Sequence, residues 1–184
     1  MNNFRVMDKN VLIILSRNKF CGEEYKLSRQ VLEAFGISCK VASSTLSPTI
    51  GLDGTIVVPD YQIRNLDSQV YSTFLLIGGV GCREYWHDKF VHTLLNNAYS
   101  SGKLLCAICL APVILTNAGL LKGKRATAHP SAADYLKFKG VKYSSKLVEY
   151  ERNIITANGP EATEEFANKI TDLLGHNAIH QNIR

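Results

Sequence analysis

No stretch of this chain approaches the ~18 consecutive apolar residues of a membrane span, so no transmembrane helix is expected. Positive charge is present but not gathered. The 21 lysines and arginines against 16 aspartates and glutamates give +5, and they are scattered, with Lys122-Gly123-Lys124-Arg125 the densest group. Nucleic-acid binding needs a basic stripe or cluster, so neither nucleic acid nor membrane is an expected partner. The five cysteines are odd in number and irregular in spacing, which excludes a complete disulfide framework and fits a reducing cytoplasm. His87, His92, His176 and His180 lack metal-ligand spacing, so no metal site is predicted. Repeats and low-complexity segments are absent. Val11–Leu15, after Arg5 and Lys9, is too short for a secretory leader. What remains is one globular domain, 46% hydrophobic, placed at residues 10–175 between an extension at 1–9 and a polar, flexible tail at 176–184.

Strand and helix signals alternate along that domain. Val11–Leu15 is an apolar run of the kind a strand shows when both faces are covered. A helix opens at Cys21-Gly22-Glu23-Glu24-Tyr25, repeats Leu27, Val31, Leu32 and Phe35 on one face, and stops at Gly36. Ile37–Ala42 is the second strand, and Asp53-Gly54 turns a small hairpin within Ile50–Val58. Phe74–Ile77 is a strand that breaks into Gly78-Gly79, followed by a helix over Asp88–Tyr99. Leu104–Ile108 is the next strand, followed by a helix to Ala118. Arg125–Ala128 stops at His129-Pro130, and Ser131 caps a helix to Phe138. Strands near Val141–Tyr143, Lys146–Tyr150 and Asn153–Thr156 precede a last helix from Gly159-Pro160-Glu161 to Leu174, ended by Gly175. Such alternation predicts a mostly parallel sheet covered on both faces, with its site outside the carboxyl ends of the strands.

Cys109 is the most informative residue on that rim. Leu104-Leu105-Cys106-Ala107-Ile108 runs directly into Cys109-Leu110-Ala111-Pro112, and proline in a first helical turn sacrifices no hydrogen bond. A thiol at that junction faces the positive end of the helix dipole, which predicts a pKa below the ordinary value near ~8.5. Cys106 lies within the strand, three residues back and on the other face, so a Cys-x-x-Cys redox pair is not expected. Cys39 reads as core, whereas Cys21 and Cys82 read as rim residues with the option of resolving an oxidised thiol. Trp86, beside Tyr85, reads by default as core packing. Glu23-Glu24, Gly78-Gly79, Cys109 and His129 all fall at strand ends. Together they supply a proton carrier, backbone amides, a nucleophile and an imidazole.

Gly22-Glu23-Glu24, Ile77-Gly78-Gly79, Ala107–Pro112, Ala128-His129-Pro130 and Asn158-Gly159-Pro160, in this order over residues 10–175, resemble the motifs of the ThiJ/PfpI superfamily. This superfamily contains the parkinsonism-associated deglycase and the PfpI-type intracellular proteases. The resemblance implies a flavodoxin-like three-layer sandwich, usually a homodimer, with a reactive cysteine at a strained elbow. It assigns Cys109 as nucleophile, Glu24 as the acid bonded to it, and His129 as a neighbour. Gly78, Gly79 and Leu110 become the backbone surrounding the sulfur, with the Gly79 and Leu110 amides facing it. Beside a thiolate, Glu24 should be protonated, since like charge and burial both raise a carboxyl pKa. Two departures stand out. PfpI-type proteases carry a histidine where this chain has Leu110, and no arginine stands near Leu52-Asp53-Gly54, where deglycase-like members build an anion site.

The expected function is therefore a cysteine-dependent enzyme acting on small reactive carbonyls, of glyoxalase or deglycase type, that needs neither metal nor organic cofactor. The alternative is a redox-sensing or stress-protective protein acting through oxidation of Cys109. A PfpI-type protease or other hydrolase ranks below both, because Leu110 removes the protease's base.

Overall fold

The computed structural model describes residues 9–179. Its strands form where the apolar runs stand. β1 (Asn10–Ile14) is buried from Val11 onward, as a strand covered on both faces must be. After a short β2 (Asn18–Phe20) comes α1 (Gly22–Ala34). β3 (Ser38–Ser43) leads to the hairpin of β4 (Thr49–Gly51) and β5 (Ile56–Val57), where Gly54 takes φ 79° in the turn. β6 (Tyr61–Gln62), β7 (Thr73–Leu76), α2 (Lys89–Ser100), β8 (Leu104–Ile108) and α3 (Pro112–Asn117) follow. β9 (Arg125–Ala126), α4 (Ala133–Phe138) and β10 (Lys142–Tyr143) precede the hairpin of β11 (Val148–Glu151) and β12 (Ile154–Ala157), and α5 (Thr163–Ile179) comes last.

The central sheet has the order β11-β12-β8-β7-β1-β3-β6, parallel throughout except for β11. Helices flank it, with α1 packed on α5 and α2 on α3. This is the expected flavodoxin-like α/β sandwich. The register sets the site. Ile14 pairs with Leu76, Leu76 with Ala107, and Ala107 with Thr156, so four parallel strands end level and their next residues share one rim.

The chain departs from its sequence reading in four places. α5 runs through Gly175 to Ile179, since an interior glycine weakens a helix by only ~1 kcal/mol and does not force a stop. Ser131 does not cap α4: it lies inside a 3₁₀ turn, Pro130–Ala132, which His129 caps by accepting the Ser131 N–H, and α4 itself begins after Ala132 with no side-chain cap. β2 and β6, three and two residues long, carry no periodic signal. A 3₁₀ segment, Val80–Tyr85, fills what reads as a loop. Residues 1–8 and 180–184, within the expected extension and tail, lie outside the described residues.

Candidate active site

The sheet forces an unusual backbone on Cys109. Its φ is 63°, in the left-handed region that costs a residue with a β-carbon ~1–2 kcal/mol. Neighbours on three segments hold it there. Cys109 N–H donates to Ala157 O at 2.9 Å, His129 N–H donates to Cys109 O at 2.8 Å, and Ala111 N–H closes the turn on Ile108 O at 3.0 Å. Pro112 then opens α3. The thiol is 8% exposed at the floor of the rim.

Glycine at 78 and 79 is dictated by close approach. A β-carbon on Gly78 would stand 2.5 Å from Cys109 Cβ and 3.0 Å from Glu24 Oε2. Gly79 has φ 94°, and its β-carbon would meet Cys21 N at 2.7 Å. The Gly78 N–H, grouped in the sequence reading with the amides around the sulfur, donates instead to Glu24 Oε2 at 3.0 Å. The backbone amides of Gly79 and Leu110 are the ones that favour charge on the Cys109 sulfur.

Glu24 is completely buried one turn into α1, while Glu23 beside it is exposed. Burial lifts its pKa from 4.5 to about 7, against the pull of the Gly78 amide and of the Cys109 and Cys21 thiols. Its second oxygen, Oε1, makes no hydrogen bond of regular distance and angle. The two thiols are therefore close polar neighbours of the carboxyl and not ideal partners.

The thiol itself corrects an expectation. Burial pushes Cys109 up to about 12 and the nearby Glu24 charge adds to this, while the Gly79 and Leu110 amides act downward. The expected depression by the helix dipole is overturned because α3 is only six residues long and desolvation of the sulfur outweighs it. Cys109 rests as a thiol, beside a carboxyl that titrates near neutrality.

His129 is tied to Cys109 through its backbone, while its ring turns to Ser131. Nδ1 lies 2.8 Å from Ser131 Oγ and accepts the Ser131 N–H at 3.2 Å, which leaves the proton of the neutral ring on Nε2. Cys82 is buried on the 3₁₀ segment, and that burial raises its pKa. Trp86 is half-buried and stacks on Tyr135, with ring centroids 6.4 Å apart. Cys39 and Cys106 are buried in the core, and Cys106 faces Leu75 and Ile155 within the sheet. Sequence reasoning missed that Ser131 holds the His129 ring and that Cys21 shares Glu24. The i, i+2 spacing of His129 and Ser131 could have found the first, and the N-cap position of Cys21 the second.

Among the described residues no three His, Cys, Asp or Glu side chains are grouped to hold a metal, and no helix is long and apolar enough to cross a membrane. All five cysteines are free.

A mostly parallel α/β sandwich with a cysteine on a left-handed strand-to-helix elbow, backed by a buried glutamate and paired glycines, defines a protein of flavodoxin-like architecture. The chain belongs to the DJ-1/PfpI family, whose model matches residues 9–173. It is 29% identical over 166 residues to a glutathione-independent glyoxalase, DJR-1.2, of Caenorhabditis elegans, covering 90% of this chain and 89% of that protein. An uncharacterized protein of Methanocaldococcus jannaschii, MJ0967, is 31% identical over 170 residues, 91% of this chain and 83% of its own length. The crystal structure of Drosophila melanogaster DJ-1beta superposes with a TM-score of 0.85 at 29% identity, covering 95% of both chains.

Proposed function

We propose that the protein is a cysteine-dependent enzyme that converts small 2-oxoaldehydes to 2-hydroxy acids without a cofactor. The observation that carries this reading is the buried Glu24 carboxyl, poised near neutrality beside the Cys109 thiol. A general base is most effective when its pKa lies near the working pH. Glu24 as carboxylate takes the thiol proton while the sulfur adds to the aldehyde carbon, then returns it to the resulting alkoxide, giving a neutral hemithioacetal and restoring the carboxylate. The amides of Gly79 and Leu110, which favour charge at the sulfur, stabilise the negative charge that moves from sulfur to oxygen. Glu24 then carries a proton from the former aldehyde carbon to the adjacent carbon, through an enediol, to leave a thioester. Water cleaves the thioester, releasing the hydroxy acid and restoring the thiol. His129, with its proton on Nε2, stands at the rim as a hydrogen-bond donor to the substrate oxygens.

The similarity to a glutathione-independent glyoxalase supports this reading. Leu110 argues against peptide cleavage, since it occupies the position of the protease histidine. Five free thiols suit a reducing cytoplasm, and a homodimer is the assembly proposed from the family. Lactate formed from methylglyoxal by the native protein but not by Cys109→Ser is the expected result, measured by enzymatic lactate assay. Equal rates with the two proteins would overturn the assignment.

A further inference from the structure

Glu24 serves two thiols. Cys21 stands at the N-cap of α1, its N–H donates to Gly78 O at 3.0 Å, and its thiol is near enough to Glu24 and Cys109 to influence the charge of both. Cys109 stands against the same glycine, with its Cβ where a Gly78 side chain would have to go, and Glu24 Oε2 holds the Gly78 N–H at 3.0 Å. Two sulfurs therefore flank one carboxyl across a residue with no side chain to separate them. Cys21 is half-buried and Cys109 is 8% exposed, whereas Cys106 is sealed at 0%. Cys21 caps α1 without a side-chain hydrogen bond to it, so its thiol can turn toward Cys109 without breaking the cap.

We propose that Cys21 is a resolving thiol for Cys109, so that a hydroperoxide converts the pair to an intramolecular disulfide and does not carry Cys109 on to the sulfinic acid. The Cys109 sulfur, giving its proton to Glu24, attacks the outer peroxide oxygen. The O–O bond breaks, the departing alkoxide or hydroxide takes the proton from Glu24, and Cys109 becomes a sulfenic acid. The Cys21 sulfur then attacks Cys109 sulfur. The S–S bond forms, hydroxide leaves with the Cys21 proton as water, and the two thiols have supplied the two electrons that reduced the peroxide. A dithiol reductant reverses the cross-link. This inference depends on Cys109 being oxidisable and is independent of carbonyl turnover.

The test is treatment of the fully reduced protein with one equivalent of hydrogen peroxide, followed by alkylation and peptide mapping without reductant. The expected result is a mass lower by two hydrogens, two fewer alkylatable thiols per chain, and one linked peptide pair joining Cys21 to Cys109. Cys21→Ser, given the same peroxide, should gain oxygen at Cys109 and form no link. The proposal is overturned if the native protein accumulates sulfinic acid at Cys109 with Cys21 still alkylatable. A cross-link that joins Cys109 to Cys82, or one chain to another, overturns it equally. Mapping the native protein decides the matter even if the variant folds poorly.

Discussion

At Glu24 two demands compete, burial favouring the neutral carboxyl and the Gly78 amide favouring the charged one, and they balance at about 7. Turnover that needs Glu24 as base should therefore rise as the pH passes upward through about 7, and Glu24→Gln should abolish that limb. Its kcat/KM should fall by roughly 10²–10⁴, the usual worth of a general base, as measured by initial rates across a pH series. Gly78→Ala tests the packing at the same point. Its β-carbon has nowhere to go beside Cys109 and Glu24, so activity should vanish and denaturant unfolding should show a loss of about 1–3 kcal/mol. Much of this site is legible from the residues: Cys109, Glu24 and Gly79 stand where the motif order puts them. The thiol's high pKa is not, because a dipole is visible in sequence as a proline-led helix, whereas desolvation depends on what the sheet and α1 place around the sulfur. The second thiol on Glu24 is hidden for a similar reason, since contact through a buried carboxyl leaves no periodic trace.

The turn that bears Cys109 stores strain at one residue. Cys109→Gly and Cys109→Ala should both be inactive, but the glycine variant should be the more stable by about 1 kcal/mol, because only alanine keeps a β-carbon in the left-handed region. Chemical denaturation of the two variants side by side makes the comparison, and equal stability would show that Cys109 φ is unstrained. The long elements could be read from sequence because burial on both faces writes a continuous apolar run, as in β1, β7 and β8. β6 at the sheet edge pairs through only two residues, Tyr61 and Gln62, and so short a segment has no pattern to read. The last helix is legible in its middle and not at its ends: a 3₁₀ turn, Pro160–Ala162, precedes its start at Thr163, and Gly175 lowers helix propensity without supplying a cap.

For the whole molecule the buried carboxyl sets a stability gradient. A folded-state pKa of about 7, above the ordinary 4.5, means that the folded chain binds more protons than the unfolded one between those values, so stability falls as pH rises through that window. The loss is about 3 kcal/mol when complete, at ~1.4 kcal/mol per pH unit. Glu24→Gln should remove this component and unfold at higher denaturant than the native protein at pH 8, with the two curves converging near pH 4. A variant less stable at every pH would contradict the burial cost. The hydrogen bonds that shape the elbow also carry a consequence for synthesis. Glu24 reaches Gly78 across 54 residues, and Cys109 N–H waits for Ala157, a strand that emerges from the ribosome long after the thiol does. Until that last parallel strand docks, Cys109 is a solvated thiol on an unformed turn with an ordinary pKa of ~8.5, so the nascent thiol is the more readily ionised one and it is the closing of the fold that shields it.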